Sequence, residues 1–130
     1  MKCPASARRI VVCSLVLGGL LAGCWTARAE GPKPIRALMV TGGCCHDYAA
    51  QKKIISAGVS DRANVEWTIV HEGKDRTDRV SIYAKPDWAK GYDVVVHNEC
   101  FGAIEDVPYV ERIARPHFEG VPAVMLHCST

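Results

Sequence analysis

The sequence has no apolar run long enough to cross a bilayer, no internal repeat and no low-complexity segment. Its run Ile10–Ala22 has 13 residues, whereas a membrane-spanning helix needs about 20. An excess of basic charge is also missing once Met1–Ala29 is set aside. Four of the 16 basic residues and none of the 14 acidic ones lie in that segment, so 12 remain against 14 and the formal charge moves from +2 to −2. We therefore expect neither a transmembrane helix nor a nucleic-acid partner.

Met1–Ala29 has the pattern of a signal peptide rather than of a folded element. A positively charged start precedes the apolar run, and Ala27-Arg28-Ala29 is a small-x-small cleavage site. The segment Leu21-Ala22-Gly23-Cys24 offers an alternative, a lipoprotein signal that ends at Cys24. We predict an exported protein, periplasmic or secreted, whose alternative form is a membrane-anchored lipoprotein held by a lipid on Cys24. Residues 30–130 are enough for one small domain.

Strand and helix patterns alternate through residues 30–130. Two helices are predicted, Tyr48–Val59 after a cap at Asp47 and Val107–Ala114 after a cap at Asp106, and Arg115-Pro116 is expected to end the second. The predicted strands are apolar runs rich in β-formers: the run from Ile35 to the glycines at 42 and 43, Val65–His71 nearer an edge, Tyr92–Asn98, and Pro122–Leu126.

Strands that alternate with helices predict an α/β fold with a parallel, flavodoxin-like sheet in three layers. The common strand order 2-1-3-4-5 places the first, third and fourth strands side by side. The first and third runs are expected to be buried on both faces, and the fourth is expected to be a buried strand. Thr130 follows the fourth run with no covering helix, so we expect the C-terminal part of the domain to be missing from this chain.

Polar and reactive side chains follow three of the predicted strands at their carboxyl ends. Because these ends meet at one edge of a parallel sheet, we predict that the side chains form one pocket. The predicted pocket residues are Gly42, Gly43, Cys44, Cys45, His46 and Asp47 after the first strand, His97, Asn98, Glu99 and Cys100 at the third, and His127 and Cys128 at the fourth.

Two chemistries fit this set of side chains. Zn²⁺ takes imidazole, thiolate and carboxylate ligands, and His46, His97 and His127 are its candidate ligands here. No two of them have the close spacing of a dedicated metal motif. Alternatively, Cys128 follows a strand as nucleophiles do, with a neighbouring histidine to generate its thiolate. The glycines of a nucleophile elbow are absent around Cys128, which disfavours this second interpretation.

Disulfide bonds are a further possibility in an exported chain. Cys44 and Cys45 are adjacent and are not expected to pair easily with each other. A bond from Cys100 to Cys44 or to Cys128 is the alternative, and spacing alone does not fix the connectivity.

Met39–Tyr48, Val94–Cys100 and Pro122–Cys128 together resemble the ThuA-like, trehalose-utilisation family, whose fold is similar to that of class I glutamine amidotransferases. The resemblance extends over about Pro34–Cys128. Family members continue after the His-Cys strand through further strands and helices, which agrees with a truncated chain. The resemblance implies a role in carbohydrate metabolism, with a small-molecule sugar or derivative bound at the strand ends near His46, His97 and His127. It does not imply glutaminase activity, because the Gly-x-Cys-x-Gly elbow is missing.

The expected function is that of an exported ThuA-like domain for a trehalose-type sugar, acting as an enzyme with a metal at the strand ends. The alternatives are a non-catalytic ligand-binding or accessory module on the same fold, and an inactive truncated remnant.

Overall fold

The computed structural model describes residues 31–126. Within them, one parallel sheet has the order β2-β1-β3-β4, which confirms the predicted flavodoxin-like α/β arrangement. No helix in this part of the chain is long and apolar enough to span a membrane. The predictions made on Met1–Ala29, His127 and Cys128 lie outside the described residues. The elements are β1 (Ile35–Gly43), α1 (Tyr48–Ser60), β2 (Val65–His71), a 3-10 helix (Ser81–Ala84), β3 (Val94–Cys100), α2 (Val107–Phe118) and β4 (Ala123–Met125).

β1 and β3 form the centre of the sheet and are buried on both faces, as their nearly continuous apolar runs predict. β2 is an edge strand, which was also expected. The expectation of a buried fourth strand is wrong: all three residues of β4 are exposed. The reason is that β4 pairs with β3 on one side only and forms the other edge of the sheet among the described elements.

Side chains alternate between the two faces of the central strands, and each face has its own covering layer. Leu38, Val40 and Val95 face the 3-10 helix and α2, where they pack with Tyr83 and Trp88 in one buried cluster. The opposite face of β1 lies under α1, which also contacts β2. Residues of odd and even number in β3 therefore point into different layers. His97 and Glu99 face α2, whereas Asn98 and Cys100 face the opposite layer.

α2 continues through Pro116, whereas the sequence predicted that Arg115-Pro116 would end this helix. A proline has no N–H to donate to the carbonyl four residues earlier, which here belongs to Arg112. The structure supplies another donor, because the indole Nε1–H of Trp88 donates to the Arg112 carbonyl oxygen at 3.0 Å. The proline is tolerated because a buried tryptophan from another segment replaces the missing hydrogen bond.

Both helices begin after the capping aspartate that the sequence predicts. The Asp47 carboxylate accepts a hydrogen bond from the Ala50 N–H at 2.9 Å and caps α1. Asp106 likewise accepts from the Tyr109 N–H at 3.2 Å and caps α2. Both caps satisfy an N–H that has no partner within the helix. Asp47 therefore ends the turn after β1 as the cap of α1.

Gly42 and Gly43 end β1 in a backbone conformation with positive φ, 143° and 94°. A Cβ atom on Gly42 would overlap the backbone of Glu72, and one on Gly43 would overlap the backbone of Cys100. Both positions therefore require glycine, because a Cβ would overlap the neighbouring backbone and because other residues rarely adopt a positive φ. They allow the carboxyl ends of β2 and β3 to close tightly around the end of β1.

Arg36 and Asp93 join the beginnings of β1 and β3 by a two-pronged ion pair, with N–O distances of 2.8 and 3.2 Å. Hydrogen bonds from the Arg36 side chain and backbone lower the pKa of Asp93 to about 2. A carboxyl group whose pKa is lower in the folded state than its unfolded value of about 3.9 stabilises the fold above that value and loses its contribution as the pH falls through about 2.

Asp93→Asn should therefore lower the melting temperature at pH 7, and the difference from the unchanged chain should shrink between about pH 4 and pH 2. The exposed Asp87, whose carboxylate lies 4.0 Å from the Lys90 ammonium, provides the control Asp87→Asn. Thermal unfolding followed by circular dichroism across this pH range measures both variants. An Asp93→Asn difference that is the same at pH 7 and pH 2 would contradict the assignment.

Candidate functional site

A cleft of about 750 Å³ lies between α2 and the carboxyl-terminal half of β3, beside β4. Most of its wall is apolar, with aromatic rings from Phe101, Tyr109 and Phe118. Its polar side chains are Tyr83, His97, Glu99 and His117. A concave, mainly apolar surface with a few polar groups in one place is the usual form of a small-molecule site.

The polar side chains of the cleft form one connected chain of hydrogen bonds. His97 Nδ1 lies 2.8 Å from Glu99 Oε1, and His97 Nε2 lies 3.0 Å from His117 Nε2. The Tyr83 hydroxyl donates to Glu99 Oε1 at 2.6 Å. His97 and Tyr83 are fully buried and Glu99 nearly so, whereas His117 is only half-buried. Of the two histidines described in the lining of the cleft, His117 is therefore the one that a ligand reaches first.

The hydrogen-bond partners of His117 and His97 use all four ring nitrogens. The Val121 carbonyl oxygen can only accept, so His117 Nδ1, 2.9 Å away, donates to it. His117 Nε2 faces His97 Nε2, and His97 Nδ1 faces the Glu99 carboxylate. A continuous row of hydrogen bonds therefore runs from Val121 to Glu99.

Tyr83 keeps its hydroxyl proton and acts as a donor in this row of hydrogen bonds. Burial, and after it the charge of Glu99, raises the pKa of Tyr83 far above its ordinary value. The ring is fixed by edge-on contact with Trp88 and Tyr109, with centroids 4.9 and 6.0 Å away. The hydroxyl therefore orients the Glu99 carboxylate toward His97 and does not itself exchange protons with a ligand.

The other face of β3 has a group of three cysteines near one another. Asn98 and Cys100 point to this face, and the Asn98 amide donates to the Thr41 hydroxyl at 3.1 Å. Cys44 and Cys45 form a disulfide bond, and the Cys100 thiol lies 3.9 Å from the Cys44 sulfur. These three cysteines are the sulfur cluster, and their sulfur atoms all lie within 4.8 Å of one another.

The disulfide corrects the expectation that adjacent Cys44 and Cys45 would not pair. Cys45 has a positive φ of 83°, an uncommon conformation for a residue with a side chain. The expected alternative, a bond from Cys100 to Cys44, is not formed, although their sulfur atoms are near neighbours. The sequence could not show this, because it does not reveal the conformation of Cys45.

The cysteines at 44, 45 and 100 form the group within residues 31–126 that could hold a metal ion. Neither His46 nor His97 belongs to it. His46 is exposed and lies edge-on to the Tyr48 ring, with centroids 5.9 Å apart. His97 points to the other face, into the cleft. Because His127 lies outside the described residues, the three-histidine metal site stays a prediction.

Eight of the twelve predicted pocket residues lie in three places. His97 and Glu99 line the cleft, Cys44, Cys45 and Cys100 form the sulfur cluster, and Gly42, Gly43 and Asn98 hold the strand ends together. His46 is exposed, Asp47 caps α1, and the last two lie outside the described residues. Sequence reasoning missed Tyr83 and His117. Tyr83 lies in a short piece that matched no pattern, and His117 lies beyond the proline that was expected to end α2. The conformation of α2 around Pro116 depends on Trp88, which no local pattern indicates.

The sheet order and the cleft at the strand ends define a small α/β domain of the flavodoxin-like class. Comparison with protein-family models, with curated proteins and with solved structures finds no match for this chain.

Proposed function

We propose that this chain is a binding domain for a small sugar or sugar derivative and that the cleft beside α2 is its ligand site. The proposal depends on the hydrogen-bonded chain that runs from Glu99 through His97 to His117. The His117 side chain is half-buried and lines the cleft. Buried polar groups that converge on one point of an apolar cleft are the usual means of orienting a ligand.

A sugar fits the two kinds of surface in the cleft. Aromatic rings such as Phe101 and Phe118 offer flat apolar faces to the C–H side of a sugar ring, and His117 can offer a donor or an acceptor to a sugar hydroxyl that displaces one of its present partners. A volume of about 750 Å³ is within the range of small-molecule sites. The resemblance to the ThuA-like family gives the same substrate class, a trehalose-type sugar.

The row of hydrogen bonds indicates what the site can do chemically. A sugar hydroxyl that replaces the Val121 carbonyl oxygen as the partner of His117 Nδ1 can exchange a proton with this ring, and His97 and Glu99 can compensate by moving a proton along the hydrogen-bonded chain. This supports an enzyme that uses acid–base chemistry on a carbohydrate. A non-catalytic binding module remains the second candidate, because no cysteine or serine lines the cleft among the described residues.

Isothermal titration of the full chain with trehalose, maltose and glucose tests the proposal. At least one of these sugars should bind saturably, and His117→Gln should weaken that binding by about tenfold or more, which corresponds to about 1.4 kcal/mol. The matched control is His71→Gln, because His71 is an exposed histidine at the far edge of the sheet. Equal affinities of the two variants would contradict the site. Turnover of the bound sugar separates the enzyme from the binding module.

We further propose that the metal of this domain, expected from the sequence to be Zn²⁺, binds at the sulfur cluster. Thiolates are preferred ligands of Zn²⁺, and a site with three protein ligands leaves a fourth position for water or substrate. The signal pattern of Met1–Ala29 supports a location outside the cytoplasm, with Cys24 as the alternative lipid anchor.

A further inference from the structure

We propose that the sulfur cluster is a redox-dependent metal site, which is closed while Cys44 and Cys45 are joined and opens when a dithiol reduces them. This inference rests on the proposed binding of Zn²⁺ at the cluster and adds the condition under which the ion binds. It follows from the use of the same two sulfur atoms in the disulfide and in the group that could hold a metal. A disulfide sulfur is not a thiolate and cannot serve as a thiolate ligand.

The backbone, rather than the disulfide, keeps Cys100 beside Cys44. Gly43 and Cys100 are register partners in the β1–β3 ladder, and the Cys44 N–H donates to the Cys100 carbonyl oxygen at 3.2 Å. The close packing of Gly43 on Cys100 fixes the same approach. These contacts do not involve sulfur. The two thiols therefore remain neighbours after reduction, and the metal site does not have to be assembled from separated parts.

The spacing of the sulfur atoms suits Zn²⁺. Two thiolates that bind one Zn²⁺ tetrahedrally at about 2.3 Å lie about 3.8 Å apart. Cys44 Sγ and Cys100 Sγ lie 3.9 Å apart. Only Cys45 Sγ then has to move, away from its bonded partner, and Cys45 is the exposed member of the three. Its exposure also gives a reductant access to the disulfide.

A dithiol supplies the two electrons that reduce the disulfide between Cys44 and Cys45. One thiolate of the dithiol attacks Cys45 Sγ and releases Cys44 as a thiolate, and the second thiol of the reductant then displaces Cys45. The dithiol loses two electrons and becomes a disulfide, while Cys44 and Cys45 gain the two electrons and take up two protons. Zn²⁺ then binds the three cysteine sulfurs and displaces their protons.

The test uses the full chain in which the four cysteines outside the cluster are replaced: Cys3→Ser, Cys13→Ser, Cys24→Ser and Cys128→Ser. Thiol titration should find one free thiol before reduction and three after anaerobic treatment with dithiothreitol and its removal. Zn²⁺ titration against a chromophoric chelator should show one bound ion in the reduced chain and none in the oxidised chain. Cys100→Ser should weaken binding to the reduced chain by more than about tenfold.

The outcomes separate this inference from the proposals on which it rests. Equal Zn²⁺ affinity of the oxidised and reduced chains would overturn the redox dependence and leave Zn²⁺ binding intact. A chain that binds Cd²⁺ only when it is reduced, and binds Zn²⁺ in neither state, would overturn the identity of the ion and support the redox dependence. Unchanged affinity of Cys100→Ser would overturn the three-sulfur site. Cys100→Ala should also lose affinity while it keeps a native circular dichroism spectrum, which shows that the expected weakening does not come from unfolding.

Discussion

Replacing Gly43 by alanine is expected to lower the free energy of unfolding by about 4 kcal/mol, close to the whole stability of a small domain. Gly43 has a φ of 94°, and the position of the new Cβ is already taken by the backbone of Cys100. The neighbouring chain cannot move away cheaply, because it belongs to the central strand β3. Chemical denaturation of the purified variant measures the effect.

Gly91→Ala is the matched control for this change. Gly91 has nearly the same φ, 91°, but nothing lies within 4 Å of the position that a Cβ would take. Its substitution should therefore cost only the conformational penalty, about 1 kcal/mol. If the two variants lost equal stability, the tight closure of β3 on the end of β1 would be contradicted, and so would the fixed approach of Cys100 to Cys44.

The second large effect is expected at Tyr83, which is fully buried in the layer between the sheet and α2. Tyr83→Ala removes the ring from the apolar cluster and should cost about 4 kcal/mol. Tyr83→Phe keeps the ring and removes only the hydroxyl that donates to Glu99 Oε1, so it should cost about 2 kcal/mol. Denaturant unfolding of both variants gives the two values.

Sugar binding provides the second readout for Tyr83. Because the hydroxyl orients the Glu99 carboxylate toward His97, Tyr83→Phe should also weaken the binding of a sugar in the cleft at a temperature where the variant is fully folded. A Tyr83→Phe variant with the original stability and the original affinity would show that the hydrogen-bonded chain does not include the tyrosine.

The sequence predicted the parts of the fold that depend on local patterns. The buried runs in β1 and β3 and the caps Asp47 and Asp106 follow from residue type and spacing, and the structure has them where they were expected. The parallel order of the sheet follows from the alternation of strands and helices.

The candidate site was only partly predictable, because its members are brought together by contacts between distant segments. His97 and Glu99 were expected at the end of β3, but the alternation of side chains along that strand divides them from Cys100. His117 enters the cleft only because α2 continues past Pro116, which depends on a hydrogen bond from Trp88. Local sequence contains no signal for such a contact.

The most direct test of the ligand site is the ¹⁵N–¹H spectrum of the histidine side chains of the full chain, recorded with and without trehalose. We expect the ring signals of His117 and His97 to shift together on addition of the sugar, because the two rings are hydrogen-bonded to each other in the cleft. The signals of His71 at the far edge and of exposed His46 should not change. A sugar that shifts His46 or His71 and leaves His117 and His97 unchanged would contradict the cleft as the binding site.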